Sequence, residues 1–331
     1  MLQRVFGRAE LSPPMARVKK SIWIWIKPDP AHALPTAKAL AKALEARGFD
    51  VSIGNEPEGH EELAISIGGD GTFLSMVRRL GEQRFRTQVI GIHGSRGIGF
   101  LTACKVPSEK DLKSWSTSLA GKIFAMDGEQ RNYFGLCATL ANSKASAKLG
   151  GPNVQSSGFA RGEMKRKKAG VSLWAMNDMV IGRTALSRML SLKLSCNLEV
   201  IYEKIKGDGI IFSSAVGSTA YALSAGGPVV DPLLNVVQMT PVCAHPSPQP
   251  PMLFGPGSKL RAESLDHSMK ALITLDGQEG VEFQVNDCIL VEAAPKPVQI
   301  FVPEVEARYS CGTYFQALSR LGIGGSHVSG S

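Results

Sequence analysis

Residues 63–80 read Leu-Ala-Ile-Ser-Ile-Gly-Gly-Asp-Gly-Thr-Phe-Leu-Ser-Met-Val-Arg-Arg-Leu. The apolar run 63–67 stops at glycine and has the length of a buried strand. Beyond the turn, Phe73, Leu74, Met76, Val77 and Leu80 recur at helical spacing. Strand, glycine turn and helix in that order form half of a βαβ repeat. The flanking sequence repeats the scheme. Residues 21–26 (SIWIWI) form a strand closed by Lys27-Pro28-Asp29-Pro30. Leu34, Ala37, Ala41 and Leu44 then line one face of a helix that Gly48 stops, and short strands follow at 51–53 and 89–92. Strands alternating with helices imply a Rossmann-like parallel sheet with helices on both faces, which this reading carries over residues 21–120.

Beyond residue 120 the period changes. In 189–198, Leu190, Leu192, Leu194, Cys196 and Leu198 fall on one side while Ser191, Lys193, Ser195 and Asn197 fall on the other. That is the period-two pattern of a half-buried antiparallel strand. Residues 271–275 and 288–292 look similar, and helical periodicity is scarce. The expectation is an α/β N-terminal domain followed, over 121–300, by a mainly β C-terminal domain of β-sandwich type. A final segment, 301–331, regains a helical pattern in YFQALSRL and is expected to return to the first domain. Residues 1–20 read as a disordered or processed terminus.

The chain has 331 residues, 44% hydrophobic and 20% charged, the composition of an ordinary globular protein. No apolar run approaches the roughly 18–20 residues a membrane span needs, and the N-terminus lacks the apolar stretch of a secretory signal. Six scattered cysteines form no C-x-x-C pair and no zinc-ligand spacing, so reduced thiols in a cytoplasmic protein are expected. The net charge of +8 invites a nucleic-acid reading, but its distribution argues against one. Residues 141–170 hold Lys144, Lys148, Arg161, Lys165, Arg166, Lys167 and Lys168 against Glu163, six of the eight charges, in a Gly/Ser/Ala-rich stretch that reads as a mobile basic loop. Phe159 is its one aromatic residue, too few for a stacking platform. Neither a specific nucleic-acid partner nor a membrane is expected.

Three segments carry chemistry. In Gly68-Gly69-Asp70-Gly71-Thr72, backbone N–H groups at a strand end and a helix start favour phosphate, so Gly68, Gly69 and Thr72 are candidate phosphate contacts. The acid is unlike a Walker loop, which needs G-x-x-x-x-G-K-[ST]. Asp70 either accepts a proton from a hydroxyl nucleophile or holds Mg²⁺; a purely structural Gly-Asp-Gly turn is the other reading. The second segment runs from Gly207-Asp208-Gly209 through Gly217-Ser218-Thr219-Ala220-Tyr221 to Gly226-Gly227-Pro228. Its small residues fit a flat ligand, with hydroxyls and a Tyr221 ring to stack on a base, or else a tight turn. The third, Trp174-Ala175-Met176-Asn177-Asp178-Met179-Val180-Ile181, sets two polar residues inside an apolar strand. They must pair with each other or with a ligand, because an unpaired buried polar group costs roughly 1–3 kcal/mol.

In that order, with the late Leu275-Asp276-Gly277-Gln278, these segments resemble the NAD kinase family over residues 60–320. The resemblance implies transfer of the terminal phosphoryl group of ATP to the adenosine 2′-hydroxyl of NAD. It implies a divalent cation, Mg²⁺, as cofactor, NAD and a nucleoside triphosphate as partners, and a homodimer or homotetramer. By resemblance Asp70 is the catalytic proton acceptor, with Gly71 beside the dinucleotide. Asn177 and Asp178 match an NAD-binding pair, and Arg188, Lys206 and Asp208 fall at positions that contact the dinucleotide. Thr219, Ala220, Tyr221, Ala222, Leu223 and Ser224 match a further NAD-binding segment, and Gln278 another NAD contact. No metal ligand is assigned. Ser214-Ala215-Val216, the arginine-free 245–250 segment and the long basic insertion depart from the family pattern and bear on donor choice.

Rival readings are weaker. Gly94-Ser95-Arg96-Gly97-Ile98-Gly99 and the Tyr202/Lys206 pair mimic a short-chain dehydrogenase, but the glycine loop follows the wrong strand and the pair sits on a strand rather than a helix. A lipid or other small-molecule kinase with the same GGDGT turn leaves the GSTAY and SAGGP segments without a purpose. A non-catalytic NAD sensor has little need of a carboxylate beside phosphates.

Overall fold

The computed structural model describes residues 20–27, 33–94, 99–141, 171–184, 189–265, 271–284, 287–306, 310, 314–320 and 322. The basic loop beyond residue 141, the N-terminus up to residue 19, residues 95–98 of the glycine loop and Arg188 lie outside them.

The first layer is a sheet built from β1 (Ser21–Trp25), β2 (Asp50–Ile53), β3 (Leu63–Gly68), β4 (Gln88–His93), β5 (Cys104–Lys105) and β6 (Gly128–Tyr133), with helices α1 (Ala33–Glu45), α2 (Asp70–Arg79) and α3 (Leu112–Ala125) between them. β1 to β5 pair in parallel. Alternation along the strands sets the two faces. Ile22, Ile24, Ile65, Ile90 and Ile92 meet α1 and α3 through Leu40, Leu44, Trp115 and Leu119. Trp23, Trp25, Ala64 and Val89 meet α2 through Phe73, Met76 and Val77 on the other face.

The second layer comprises β7 (Leu136–Ala141), β8 (Val171–Ala175), β9 (Asp178–Arg183), β10 (Leu190–Cys196), β11 (Glu199–Gly207) and β12 (Gly209–Ser214). It continues with a short 3-10 turn, Val216–Thr219, and α4 (Tyr221–Ser224). After these come β13 (Val237–Val242), β14 (Met252–Phe254), β15 (Leu260–Ser264), β16 (Ala271–Leu275), β17 (Glu279–Phe283) and β18 (Cys288–Ala293). These strands form two six-stranded sheets, β11-β10-β15-β18-β7-β8 and β14-β13-β12-β9-β16-β17. All their pairings are antiparallel. Leu136, Leu140, Leu192 and Ile289 of one sheet and Met179, Ile181, Phe212 and Ile273 of the other share one core, so the sheets pack face to face as a sandwich.

The sandwich is an excursion from the first sheet. β19 (Val298–Pro303) returns to lie between β4 and β6, parallel to the first and antiparallel to the second. β6 and β19 therefore complete the α/β sheet although the sequence reading carried that domain only to residue 120. Composition hides β6: GEQRNY is mostly exposed, as suits an edge strand that charge protects from further pairing. The entering and leaving chains are stapled where the Ala294 N–H donates to the Gly135 carbonyl at 2.8 Å. Past this staple the two domains share a core, because Trp174, Met176 and Val216 of the sandwich pack with Phe73, Met76 and Trp23. Finally α5 (Tyr314–Arg320) follows a bridge between Ser310 and Cys104, which brings the C-terminal segment against the first sheet.

One local expectation fails. Leu198 does not join Leu190, Leu192 and Leu194 on the buried side but is 99% exposed. β10 ends at Cys196, and Asn197 turns the chain at φ +55°, a left-handed conformation that asparagine tolerates better than most residues.

Candidate active site

The glycine turn of residues 68–72 lies at the carboxyl end of β3, where ligands of open parallel sheets bind. Gly69 caps α2, so the helix starts at Asp70 rather than at Phe73. An acid in the first turn opposes the positive end of the helix dipole. A side chain at Gly68 would overlap Thr72, which is buried beneath the turn. The Asp70 carboxylate is held from one direction only among the described residues: Oδ2 accepts the Phe100 N–H and Oδ1 the Leu101 N–H, both at 3.0 Å. An ionised carboxylate offers about four acceptor sites, so each oxygen keeps a free lone pair while its orientation is fixed.

The sandwich reaches this turn through the 275–278 segment. Asp276, at φ +51°, directs a fully buried carboxylate at the backbone of the 176–178 turn. Oδ1 accepts the N–H groups of Asn177 (2.7 Å) and Asp178 (3.3 Å), and Oδ2 that of Met176 (3.1 Å). Arg78 of α2 donates to the same Oδ2 at 3.0 Å and to Gln278 Oε1 at 2.9 Å. The Gln278 amide in turn donates to the Gly71 carbonyl at 3.1 Å. Sequence reading singled out Gln278 by resemblance and missed Arg78 and the role of Asp276. The one local signal was a charge at helical spacing from the apolar stripe Phe73, Leu74 and Val77; its partner lies about 200 residues away.

The 176–178 turn also rests on the segment after β12. The Asn177 carbonyl accepts the Ser214 N–H at 2.8 Å, and the Ser214 hydroxyl donates to the Met176 carbonyl at 2.6 Å. Any side chain at Gly217 would collide with the Asn177 carbonyl, which explains a glycine there. Two consequences are chemical. Asn177 Oδ1 is buried and finds no hydrogen-bond partner among the described residues, the mark of an acceptor waiting for a donor. Asp178 is buried, and burial first, then the neighbouring Asp276 charge, push its carboxyl up to about 7. Asn177 and Asp178 are not satisfied by each other.

The remaining candidates divide. Thr219 ends the 3-10 turn and Ala220 joins it to α4, where Ala222 is buried and Tyr221 is 48% exposed, its ring free to meet a flat ligand. Leu223 and Ser224 complete α4, and the Gly227 N–H closes its end on the Ala222 carbonyl at 2.8 Å. Asp208 sits at the other end of β12, about 20 Å from Ser214 at roughly 3.3 Å per residue, and Lys206 precedes it at the end of β11. There Asp208 pairs with Arg183 at 2.9 Å and the Lys206 carbonyl accepts the His245 N–H. The structure therefore brings Gly68, Gly69, Asp70, Gly71, Thr72, Asn177, Asp178 and Gln278 together through direct contacts, and does not bring Lys206 or Asp208 to them. Arg188 lies outside the described residues.

Residues 176–302 match the model of the ATP-NAD kinase C-terminal domain. An NAD kinase of Clostridium perfringens is 30% identical over 233 residues, 70% of this chain and 72% of that protein. One from Aquifex aeolicus is 32% identical over 231 residues, with the same two shares. The chain belongs to the NAD kinase family. Two solved structures share the fold. An NAD kinase from Archaeoglobus fulgidus in complex with ATP has a TM-score of 0.62 at 20% identity, covering 86% of this chain and 94% of that one. Yeast NADH kinase complexed with NADH has a TM-score of 0.69 at 18% identity, covering 97% and 95%. The α/β sheet followed by a mainly β domain is thus an NAD kinase architecture, and the GGDGT turn belongs to a kinase. No helix among the described residues is long and apolar enough to cross a membrane.

Proposed function

We propose that this NAD kinase transfers the terminal phosphoryl group of ATP to the adenosine 2′-hydroxyl of NAD, with Asp70 as proton acceptor. The observation that carries the reading is the placement of one carboxylate, aligned by two backbone N–H groups, at the first residue of a helix and the end of a parallel strand. Across the seam stands the unpartnered Asn177 acceptor, suited to a ribose hydroxyl or an adenine amino group. Asp178, poised near neutrality, supplies a second group able to donate or accept there.

In the reaction the 2′-oxygen gives its proton to Asp70 and attacks the terminal phosphorus. The bond from that phosphorus to its bridging oxygen breaks, and the nucleoside diphosphate leaves. Phosphoryl transfer through a loose transition state depends chiefly on alignment and charge neutralisation. Gly68 and Gly69 offer backbone donors to phosphate, Thr72 supports the turn from beneath, and Tyr221 offers a stacking face. No group of three or more His, Cys, Asp or Glu side chains suited to a metal occurs among the described residues. The described residues therefore present no cage for Mg²⁺, and the ion in this reading is held by triphosphate oxygens, whose charge it offsets.

Homo-oligomeric assembly fits the same geometry. Lys206 and Asp208 stand a strand's length from the 214–219 turn, so this reading assigns them to the dinucleotide bound by a second copy. Purified protein given NAD, Mg²⁺ and ATP should yield NADP, detected by a strictly NADP-dependent reporter enzyme. Asp70→Asn should lower kcat on the order of 10²–10⁴-fold, as expected for a lost general base, with NAD affinity changed a few-fold. Near-normal turnover in that variant would remove Asp70 from the chemistry.

A further inference from the structure

We infer that Arg78 is the positioning residue that fixes the distance between the Asp70 turn and the Asn177 turn, acting through Asp276 and Gln278. The inference rests on the reading of Asp70 as proton acceptor given above. Arg78 lies on α2, the helix whose first residue is Asp70, and its side chain is 7% exposed. The planar guanidinium presents donors in a fixed fork. One arm meets Asp276 at 3.0 Å, the other Gln278 at 2.9 Å, and Nε faces Glu279 at 3.6 Å.

Each partner passes the constraint to one half of the site. Asp276 is the acceptor for the N–H groups of residues 176, 177 and 178, so its position sets where the Asn177 acceptor stands. Gln278 binds the Gly71 carbonyl, one peptide from Asp70. A shift of the guanidinium moves both halves, and it moves them relative to each other. Asp276 and Gln278 stand two residues apart on one turn, and Arg78 ties both of them to α2. A misplacement of about 1 Å in a reacting pair costs on the order of 10²-fold in rate, so a residue that never touches substrate governs turnover here.

Arg78→Lys keeps the charge beside Asp276 but has no fork, so it reaches one partner and releases the other. Gln278→Ala leaves the Arg78–Asp276 pair intact and removes both the acceptor of the other guanidinium arm and the Gly71 tether. Both are made in the parent and in Asp70→Asn, and kcat, KM for NAD and melting temperature are measured for all six proteins. In the parent background kcat is expected to fall at least tenfold for Arg78→Lys and severalfold for Gln278→Ala, at melting temperatures close to the parent's. In the Asp70→Asn background the fall in kcat should shrink to less than twofold, because alignment of an absent base has no value. The rise in KM caused by the displaced Asn177 should persist in the Arg78→Lys pair. A merely structural role predicts equal losses in both backgrounds, and that result overturns the inference; so does an unchanged kcat in both folded single variants. Should Arg78→Lys fail to fold, the Gln278→Ala cycle decides alone. Failure of the base assignment shows separately, as high activity of Asp70→Asn itself.

Discussion

Asp70 is supported from two sides that differ in kind. On the sandwich side, Arg78, Asp276 and Gln278 form a buried, charged junction in which the two partners of Arg78 bond the 71 and 176–178 backbones. On the C-terminal side, Phe100 and Leu101 hold the carboxylate itself. Phe100 packs at 5.8 Å from the ring of Tyr314, whose hydroxyl donates to the Val230 carbonyl at 2.9 Å. Val230 is tied in turn to Ser218, beside the Thr219–Ser224 segment. The first support is low-dielectric, geometrically exact and intolerant of lost charge. The second is aromatic contact and neutral hydrogen bonding between segments, each link worth about 0.5–1.5 kcal/mol. The difference predicts where the site is rigid: the distance from Asp70 to Asn177 is fixed, whereas the approach of the 99–101 loop is adjustable.

The largest effect should come from breaking the charged side. Asn at position 276 keeps the size of Asp and accepts the left-handed φ of +51° well. Its amide nitrogen nevertheless takes the place of an oxygen that accepts from both Met176 and Arg78, setting donors against donors and leaving Arg78 with Glu279 at 3.6 Å. Asp276→Asn should therefore cost about 3–5 kcal/mol, the range for removing one partner of a buried pair, read from the denaturant midpoint at constant slope. A loss below about 1 kcal/mol would show that the two supports do not differ as described.

What the sequence made legible follows the same division. Local signals gave the strand, turn and helix of residues 63–80 and the change from alternating α/β to β, because periodicity records which face of each element is buried. They marked Asp70, Asn177 and Asp178 as candidates, since an acid among glycines or polar residues in an apolar strand needs a reason. Arg78 carried only its position on the helix; its meaning depends on a partner 198 residues away. Strands β6 and β19 were illegible as parts of the first sheet for a related reason: pairing across an inserted sandwich leaves no local trace. Arg84 is similar. It lies 4.1 Å above the Trp174 ring, and burial draws it down to about 10, a contact across the domain seam that no window of sequence contains.

A smaller effect, with a pH signature, sharpens the charged side. Asp178 is raised to about 7 by burial and by Asp276. An acid whose folded value exceeds its unfolded one stabilises the fold while protonated: the contribution is complete below about pH 4 and lost as pH rises through 7. Asp178→Asn removes this loss. The variant and the parent should match near pH 4, and the variant should be more stable by about 1–3 kcal/mol at pH 8. A difference that does not change between those pH values would mean that burial and the Asp276 charge do not raise the Asp178 carboxyl.

The smallest effect belongs to the aromatic side and tests the comparison most directly. Tyr314→Phe keeps the ring against Phe100 and removes only the hydroxyl donated to Val230. That carbonyl still faces the Ser218 hydroxyl at 3.3 Å, so no buried acceptor is stranded. The hydroxyl also meets the Ser218 side chain, so the cost should be that of one or two neutral hydrogen bonds, each about 0.5–1.5 kcal/mol, with kcat lowered less than about threefold, since the 99–101 N–H groups keep their carboxylate. Tyr314→Ala, which also removes the ring, should lower kcat further, with a smaller rise in KM for NAD than Arg78→Lys causes, because the Asn177 side is untouched. If Tyr314→Phe costs as much as Asp276→Asn, the aromatic support is as rigid as the charged one. The freedom assigned to the 99–101 loop would then have no physical basis.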